Sequence, residues 1–419
     1  MPLKIAYFLD SFYPQVNGVL VSAYNTMQEM ANRGHEIAMI APRPLDPGSF
    51  DEKKWMEEHG VRELFLVKGK QAFFYPDFIY TKTFSWKIFH ALRDFGVQIT
   101  HFHSPWTLGM MGIRMAGALK VPSVGTFHTF FAEPEYIANA AMFRFFGLDR
   151  AKWFQRVAWK YNNNLFYKRC TRIVACGEYP RQALLEQGFP EEGITVVYNG
   201  LDLSRYAGID PRKPVCPLPV ALEPDKRYIV YTGRLSVEKS LRVLADAVKI
   251  VADRREDVRW LVIGHGPDRE ALEEYVRSIG LEGKTIFTGA IPNEVLMGSG
   301  LLGRCALFAT ASKTEAQPVS ILEAMLFGLP VVGVASHGTP DLLRYDNGIL
   351  VPPDNPQELA AGMLGLLEDP ELCRRLSQNA RRTIDRFDIR KTTGQMEALY
   401  QRVIADYRAV RDSCRQAAS

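Results

Sequence analysis

The sequence YIVYTG, residues 228–233, is a short apolar run that stops at a glycine, and this pattern recurs along the chain. The later runs are RWLVIG (259–264), TIFTG (285–289), CALFATAS (305–312) and PVVGV (330–334). Helical patterns separate several of these runs, and strands that alternate with helices are typical of a parallel sheet covered on both faces. We therefore predict a doubly wound, Rossmann-like α/β domain over residues 226–384.

The first half of the chain shows the same alternation. Its apolar runs are KIAYFLD (4–10), EIAMIAP (36–42), ITHFHSP (99–105), PSVGTFH (122–128), RIVAC (172–176) and ITVVYNG (194–200). They predict a second Rossmann-like domain over residues 1–207. Residues 208–225 are rich in proline and predict a linker. Residues 385–419 have a helical pattern and could pack on either half.

Composition limits the class of protein. A chain of 419 residues favours two domains, which usually leave a cleft between them. The hydrophobic fraction of 47% and the charged fraction of 23% are those of a globular protein. Neither a membrane-spanning run nor a secretory signal is evident, so we expect a cytoplasmic protein. The net charge of +4 gives no indication of a nucleic-acid partner.

Charged residues follow the first strand of the second domain. Arg234 and Lys239 bracket a short loop before a helix, where both could bind a diphosphate together with the helix amides. The alternative is that both are solvated surface charges. Gly264 and Gly266 in VIGHGP, and Gly18 at the start of a helical pattern, suit either a tight turn or a phosphate loop.

Histidines follow two strands of the first domain. His101 and His103 should point to one face of their strand, but no carboxylate or cysteine joins them at metal-ligand spacing. We therefore expect no metal and no cofactor. His128 follows the next strand, where it could face a ligand or be an ordinary buried histidine.

The stretch TEAQPVSILEAM, residues 314–325, reads as a loop running into a helix. It sets Glu315 before the helix and Glu323 about two turns further along. No nucleophile elbow, P-loop, zinc-protease motif or Asp-x-Asp occurs, so diphosphate charge would have to be met by basic residues and helix ends.

Taken together, the motifs resemble the retaining GT-B glycosyltransferases of the family 4 type, which include sucrose synthase and bacterial lipid glycosyltransferases. The resemblance rests on motifs that occur in the family's order along nearly the whole chain: FYPQVNGV, HSPWTLGMMG, GTFHTFF, YNGLD, GRLSVEKS, VIGHGP, FTGAIP and TEAQPVSILEAMLFGLPVV. It implies two Rossmann-like domains that face each other across a cleft.

The resemblance also implies roles for single residues. Glu315 would contact the hydroxyls of the transferred sugar, which His128 would also face, and these two are the expected catalytic residues. Glu323 would accept hydrogen bonds from the ribose hydroxyls of a nucleotide sugar. Ile291 would hold the base through its backbone. Arg234, Lys239 and the amide of Gly18 would bind the diphosphate.

One position departs from the family pattern. Many members have glycine where this chain has Pro318, which lacks an N–H group. Proline suits the first turn of a helix. The backbone of Ala316, Gln317 and Val319 would then have to contact the donor sugar, with Gln317 or Val319 supplying the missing amide.

The reaction implied by the family is a hexosyl transfer with retention. The diphosphate leaves while Arg234, Lys239 and helix dipoles hold its growing charge, and the acceptor hydroxyl attacks from the same face. This route needs no enzyme nucleophile, so Glu315 would position the sugar and stabilise charge.

The acceptor implied by the resemblance is a lipid. FYPQVNGV and HTFFAEPEYI look most like diacylglycerol glucosyltransferases, which act at the cytoplasmic face of the membrane. The stretch from 144 to 172 is basic and aromatic and could lie on anionic lipid. The residues expected at the membrane are Arg144, Arg150, Lys152, Trp153, Arg156, Trp159 and Lys160. The alternative is a solvated helix whose aromatic side chains pack on the core.

Other functions fit parts of the same pattern. A transferase that builds a polysaccharide or a soluble glycoside would use the same nucleotide-sugar site. A nucleotide-sugar epimerase of similar two-domain form has no obvious use for the basic aromatic stretch. A non-catalytic binder would show no turnover. The donor is expected to resemble UDP-glucose or GDP-mannose.

Overall fold

The computed structural model describes residues 2–15, 18–45, 48, 50–71, 79–128, 164–206 and 214–418, without the side chains of residues 415, 417 and 418. The chain divides into two compact units. The N-terminal unit consists of Met1–Leu201 together with Ile389–Ser419, and the C-terminal unit is Asp202–Asp388. Each is an α/β unit built on a parallel sheet.

The strands of the N-terminal unit alternate with helices. They are β1 (Lys4–Phe8), β2 (Glu36–Pro42), β3 (Glu63–Val67), β4 (Gly69–Gln71), β5 (Ile79–Thr81), β6 (Ile99–Phe102), β7 (Ser123–Phe127), β8 (Arg172–Ala175) and β9 (Ile194–Val196). Within the described residues a seven-stranded parallel sheet has the order β3-β2-β1-β6-β7-β8-β9, and β4 pairs antiparallel with β5. The order reverses beside β1, and ligands of such sheets bind at the carboxyl ends of the strands.

Helices of this unit begin and end where the sequence supplies caps. They are α1 (Gly18–Asn32), α2 (Glu52–His59), α3 (Trp86–Phe95), α4 (Thr107–Leu119) and α5 (Glu178–Glu186), with short 3₁₀ helices at Tyr167–Arg169 and Glu191–Gly193. Asp51 and Ser85 accept hydrogen bonds from amides in the first turns of α2 and α3. Gly60 and Gly96 end these helices in the left-handed region.

The C-terminal unit repeats this architecture. Its strands are β10 (Arg227–Thr232), β11 (Val258–Ile263), β12 (Thr285–Gly289), β13 (Leu307–Ala309), β14 (Val331–Val334) and β15 (Gly348–Val351). Their order in the described sheet is β12-β11-β10-β13-β14-β15, and every pairing is parallel. Strands of this kind are buried on both faces, and Trp260 is among the largest fully buried side chains.

Helices cover both faces of this second sheet. They are α6 (Leu241–Arg254), α7 (Arg269–Ser278), α8 (Asn293–Gly298), α9 (Val319–Leu326), α10 (Thr339–Leu343), α11 (Pro356–Glu368) and α12 (Pro370–Thr383). Short 3₁₀ helices lie at Leu203–Tyr206, Val237–Lys239, Glu282–Lys284, Leu302–Arg304 and Ile384–Phe387. The two predicted Rossmann-like architectures are therefore confirmed.

The last helix, α13 (Ile389–Ala418), belongs to the N-terminal unit. Its apolar residues Met396, Leu399, Tyr400, Val403 and Ile404 share a buried core with residues of that sheet. The sequence left open which half the tail packs on, and the structure decides it. Among the helices of the described ranges, none has the length and apolar character needed to span a bilayer.

The unit boundaries differ from those expected for the domains. The C-terminal unit starts at Asp202, and it includes the described part of the segment expected to be a linker. There the amide of Val215 donates to the carbonyl of Gly298 at 3.0 Å, so Pro214–Asp225 is attached to the unit rather than spanning freely. Residues 208–213 of that segment lie outside the described residues.

Candidate active site

Polar residues of the C-terminal unit collect in the loops after its central strands. The loop after β13 carries Glu315 and leads into α9, which begins at Val319 and holds Glu323 in its second turn. The two glutamates therefore lie on either side of the helix start, as the sequence predicts. Pro318 precedes the helix at φ −71° rather than lying within its first turn.

Glu315 is paired with Lys239. The ammonium of Lys239 contacts a carboxylate oxygen of Glu315, and both side chains are largely shielded from water, with 14% and 28% of their surfaces exposed. Lys239 ends the short 3₁₀ helix after β10, so the pair joins the loops after two adjacent strands. The structure thus brings together two residues that the sequence placed 76 positions apart.

Glu323 lies in a second polar group. Its carboxylate accepts a hydrogen bond from the side-chain amide of Asn293 at 2.6 Å, and Asn293 in turn accepts one from the hydroxyl of Tyr206 at 3.0 Å. Burial raises the pKa of Glu323 to about 7, and the Asn293 bond opposes this shift. Glu323 therefore titrates near neutral pH. Sequence reasoning missed Asn293 and Tyr206, because they join this polar group only through contacts between segments that are distant in the chain.

The glycines of VIGHGP are explained by packing. Gly264 has a φ of +148°, and a β-carbon there would overlap the carbonyl oxygen of Gly233. A β-carbon on Gly266 would overlap the backbone of Leu235. The loops after β10 and β11 lie against each other so closely that only glycine fits. Of the two readings that the sequence allowed, the structure supports the tight turn.

Arg234 directly follows Gly233 in the loop after β10, and it is exposed. Its carbonyl accepts a hydrogen bond from the hydroxyl of Tyr231 at 3.1 Å, which fixes the backbone between β10 and the 3₁₀ helix. Ile291 is half-buried and lies between the end of β12 and the start of α8. Both residues are therefore at the carboxyl edge of the second sheet, where a ligand of this fold binds.

The loop that carries Glu315 is held by the loop before α10. The amide of Gly338 donates to the carbonyl of Glu315 at 2.8 Å, and Ser336 donates its hydroxyl to the carbonyl of Lys313 at 2.9 Å. A β-carbon on Gly338 would overlap the carbonyl of Ala316. These contacts bury Ala316 and Gln317 and fix the approach to Val319.

Three buried hydroxyls at this edge were missed by sequence reasoning. Within the described residues, Thr232, Ser312 and Thr314 each have a side-chain oxygen with no hydrogen-bond partner. Thr232 ends β10, and the other two lie in the loop that carries Glu315. Buried polar atoms are nearly always paired, so their concentration here indicates ligand or water contacts.

His128 lies at the carboxyl edge of the first sheet, directly after β7. It is buried, with 9% of its surface exposed, and its Nε2 is 2.8 Å from Nδ1 of His103. Burial lowers the pKa of His128 to about 3, and burial together with the neighbouring histidines lowers the pKa of His103. His128 is thus a neutral imidazole with one ring nitrogen already hydrogen-bonded.

Two further features shape this edge. Asp10 accepts hydrogen bonds from the amides of Leu108 and Gly109 at 2.7 and 3.2 Å, so it caps α4 from the loop after β1. Burial raises its pKa to about 7, against the effect of these bonds. Gly18 starts α1, and among the described residues no heavy atom lies within 4 Å of where its β-carbon would be. Protein packing therefore gives no reason for glycine at this position.

The expected membrane residues Arg144, Arg150, Lys152, Trp153, Arg156, Trp159 and Lys160 lie outside the described residues. Only the end of the basic aromatic stretch is described. Phe166 and Tyr167 are buried there, and their rings lie 6.4 and 5.9 Å from that of Phe102. For these two aromatic residues, packing on the core is the correct interpretation.

Across the described ranges, no group of three or more His, Cys, Asp or Glu side chains is arranged to hold a metal ion. Both ring nitrogens of His101 are hydrogen-bonded to other side chains. One contacts the hydroxyl of Tyr400, and the other is 2.6 Å from the hydroxyl of Thr126.

Comparisons with known proteins agree with this fold. Residues 16–205 match the family model described as Glycosyltransferase Family 4. Residues 219–383 match the model described as Glycosyl transferases group 1. The two matched ranges do not overlap, and together they span most of the chain.

Relatives and solved structures are similar over most of their length. Alpha-monoglucosyldiacylglycerol synthase of Streptococcus pneumoniae is 24% identical over 346 residues, which are 81% of this chain and 72% of that protein. GDP-mannose-dependent alpha-mannosyltransferase of Mycobacterium tuberculosis is 27% identical and covers 84% of both chains. The structure of Anabaena Alr3699/HepE in complex with UDP has a TM-score of 0.72 at 19% identity, covering 95% of this chain and all of that one.

The two Rossmann-like units, with their polar residues at the carboxyl edges, define a protein of the GT-B class. The chain belongs to glycosyltransferase family 4, and it is a hexosyltransferase.

Proposed function

We propose that this hexosyltransferase moves the sugar of a nucleoside-diphosphate hexose to a lipid acceptor such as diacylglycerol, with retention at the anomeric carbon. The observation that carries the proposal is the Lys239–Glu315 pair before α9, with Glu323 in the second turn of that helix. A cation and two carboxylates at one sheet edge supply groups for a diphosphate, a sugar and a ribose.

Each residue of the C-terminal unit receives one role in this proposal. Glu315 accepts hydrogen bonds from hydroxyls of the transferred hexose, and Glu323 accepts them from the ribose. Lys239 and Arg234 neutralise the diphosphate, and the backbone at Ile291 holds the base. Backbone groups of Ala316, Gln317 and Val319 contact the sugar, since Pro318 has no amide hydrogen to donate.

Two residues of the N-terminal unit are assigned to the same substrate. The buried, neutral imidazole of His128 contacts the hexose, because its remaining ring nitrogen can hydrogen-bond to a hydroxyl. Among the described residues no heavy atom lies within 4 Å of where a β-carbon of Gly18 would be, which supports an approach of the diphosphate to its amide at the start of α1.

The reaction breaks the bond between the anomeric carbon and the diphosphate oxygen and forms one from the acceptor oxygen to the same carbon. The proton of the acceptor hydroxyl passes to the departing diphosphate oxygen. Lys239 and Arg234 stabilise the negative charge that grows on the departing diphosphate. The acceptor hydroxyl attacks from the face that the diphosphate leaves, which gives retention. Glu315 is engaged by Lys239 and acts by positioning the sugar and by electrostatics.

Candidate donors are UDP-glucose and GDP-mannose. One relative is named as GDP-mannose-dependent, and one solved neighbour is in complex with UDP. Thermal unfolding with a panel of nucleotide sugars identifies the donor, because a ligand of the folded state raises its apparent stability. Turnover with that donor, followed by NMR of the product's anomeric proton, then tests retention. An inverted product would contradict the proposed mechanism.

We propose that the reaction requires no metal ion, because Lys239 and Arg234 bring two positive charges to the carboxyl edge of the second sheet, where they neutralise the diphosphate. Activity should persist after dialysis against EDTA. A loss of activity that is restored by adding back a divalent cation would contradict this assignment.

An exposed aromatic surface supports the lipid acceptor. At the start of α3, Trp86 is 67% exposed, and its ring lies 5.2 Å from Phe84 and 5.6 Å from Phe89. Lys82 and Lys87 beside it are exposed, and the first turn of α3 has no acidic residue. Tryptophan next to lysine suits the interface of an anionic membrane. The name of the S. pneumoniae relative points to the same acceptor class.

Co-sedimentation with vesicles tests membrane binding. We expect binding to anionic but not to neutral vesicles, with release at high salt, because each basic residue contributes about 1 kcal/mol that salt screens. Changing Trp86 and Lys87 to Ser, or Lys152, Arg156 and Lys160 to Ser, should weaken binding. Changing the exposed Lys53 and Lys54 of α2 to Ser removes similar charge and serves as the control. Indifference to both vesicle types would favour a soluble acceptor.

A further inference from the structure

The N-terminal unit contains a ladder of polar side chains that rises toward the carboxyl edge of its sheet. His101 is on β6 and His103 just past its end. The residue of β7 beside His101 is Val124, and Thr126 and His128 follow it two and four positions further along the chain. Because alternate residues of a strand share a face, all four point to one side of the sheet. The same side packs against α13, which places Tyr400 beside His101.

The lower level of the ladder is completely hydrogen-bonded. Nδ1 of His101 contacts the hydroxyl of Tyr400, and its Nε2 is 2.6 Å from the hydroxyl of Thr126. The hydroxyls of Tyr400 and Tyr7 are 3.1 Å apart. His101 is therefore held by residues of two other elements, α13 and β7.

The upper level consists of His103 and His128. The ring of His103 stacks on His101 at 4.2 Å and on His128 at 5.1 Å between centroids, and it also lies 5.6 Å from Tyr7. Nδ1 of His103 and Nε2 of His128 are 2.8 Å apart. His103 thus cannot turn without displacing fixed neighbours on both sides.

The 2.8 Å contact allows two arrangements of protons between two neutral rings. In one, His103 carries its proton on Nδ1 and donates to Nε2 of His128, whose own proton is then on Nδ1. In the other, His128 donates from Nε2, and the proton of His103 is on Nε2. Among the described residues, Nε2 of His103 is buried without any partner. The second arrangement would therefore bury an unpaired N–H group, which native structures rarely do.

We propose that His103 is a positioning residue that fixes His128 as its Nδ1–H tautomer and holds the ring in place. His128 then presents a hydrogen-bond donor, not an acceptor, at its remaining nitrogen. The functional consequence rests on the proposed function: in the bound complex, the N–H of His128 donates to a hydroxyl oxygen of the hexose. His103 itself acts only through His128.

The tautomer can be observed directly by NMR. In protein with ¹⁵N-labelled histidine rings, long-range ¹H–¹⁵N correlations distinguish the nitrogen that carries the proton. We expect Nδ1–H for both His128 and His103 in the wild type, and an Nε2–H signal from His128 would overturn the proposal. Substituting single histidines assigns the eight signals.

Two substitutions of His103 separate the hydrogen bond from packing. His103→Asn keeps an N–H donor close to the Nδ1 position, whereas His103→Leu fills the site without a donor. We expect His128 to keep the Nδ1–H tautomer in His103→Asn and to lose it in His103→Leu. If His128 has the same tautomer in both variants, His103 does not set it. The wild-type spectrum decides the question even if His103→Leu fails to fold.

Kinetics then tests how His103 acts. His103→Leu should lower kcat by about 10- to 100-fold, because the loss of one oriented donor has effects of this order or larger, and His103→Asn should recover much of it. In a His128→Ala background, His103→Leu should change kcat no further, since residues that act through one another are not additive. A further loss there would show an independent role for His103. His59→Asn, at the end of α2, is the control with unchanged activity.

These measurements separate the inference from the proposed function. If His128 has the Nδ1–H tautomer but His128→Ala transfers hexose normally, the positioning by His103 stands and the role of His128 in the reaction is wrong. If hexosyl transfer depends on His128 but its proton is on Nε2, the function stands and the inference fails.

Discussion

Glu323 is a carboxyl group whose pKa burial shifts toward neutrality. Burial raises its pKa to about 7 from an ordinary value of 4.5, so it is protonated below neutral pH. If its carboxylate binds the ribose, the KM for the nucleotide sugar should rise as the pH falls below 7, by up to about tenfold per pH unit, with little change in kcat. Initial rates between pH 6 and 8.5 measure this.

Glu323→Gln is the control for that profile. Its KM should be raised at high pH and should lose the dependence around pH 7. A profile as steep as that of the wild type would assign the titration to another group. The folded state binds the proton more tightly than the unfolded state, so the contribution of Glu323 to stability falls as the pH rises from about 4.5 to 7.

Lys239 should affect the chemical step more than binding. Lys239→Ala removes the cation that pairs with Glu315 and would stabilise the departing diphosphate. We expect kcat to fall by on the order of 10²-fold, with a smaller change in KM. Single-turnover kinetics distinguishes the two effects. Near-normal kcat would show that Lys239 does not contact the diphosphate.

At the level of residues, the sequence predicts those site residues that lie within a local motif. Glu315, Glu323 and Lys239 each lie in a recognisable stretch, and the structure places all three at one sheet edge. His103 was noticed only as a possible metal ligand, and Asn293 was not noticed. Their partners are 25 and 30 positions away in the chain, so the contacts exist only after folding.

Among the elements, the loops after β10 and β11 can lie against each other only because Gly264 has no side chain. Gly264→Ala should destabilise the C-terminal unit by at least about 2 kcal/mol, because its β-carbon would overlap the Gly233 carbonyl at an unfavourable φ. Gly365→Ala is the matched control in the same unit. Gly365 lies inside α11, and a β-carbon there would meet no heavy atom within 4 Å outside the helix's own backbone among the described residues. The alanine should therefore stabilise the unit by roughly 0.5–1 kcal/mol.

Chemical unfolding followed by circular dichroism measures both glycine variants on the same transition. Equal effects of the two alanines would show that the close approach of the two loops does not constrain Gly264.

Most strands of the two parallel sheets were predicted, including the edge strands β9 and β12, and the two strands that were missed are the other two edge strands. Runs such as YIVYTG and EIAMIAP became β10 and β2, which have neighbours on both sides. β3 and β15 were not predicted. Both are edge strands with several partly exposed residues, so their apolar runs are short and less distinct.

For the whole molecule, the position of α13 is the feature that sequence left undecided. The helical pattern of α13 shows that one face of the helix is apolar, but it does not show which of the two units that face packs on. The decisive contacts join residues nearly 400 positions apart, such as the hydroxyls of Tyr7 and Tyr400. No local pattern encodes a pairing of that range.

Tyr400→Phe tests this attachment. It leaves the Tyr7 hydroxyl and Nδ1 of His101 without their common partner and should destabilise the N-terminal unit by about 1–3 kcal/mol. Tyr407→Phe, a half-buried position on the same helix, should change stability by less than about 0.5 kcal/mol. Differential scanning calorimetry compares them. Equal midpoints would show that the Tyr400 hydroxyl contributes nothing.

The division of the chain also sets the order in which the molecule can be completed during synthesis. The ribosome makes residues 1–201 first, but the apolar face that receives α13 stays uncovered until residues 389–418 have emerged. Asp202–Asp388 is continuous and can fold as soon as it is released. The part that is translated first is thus finished last. A truncated chain that ends at Asp388 and has been released from the ribosome should be cleaved by protease in the N-terminal unit while the C-terminal unit resists.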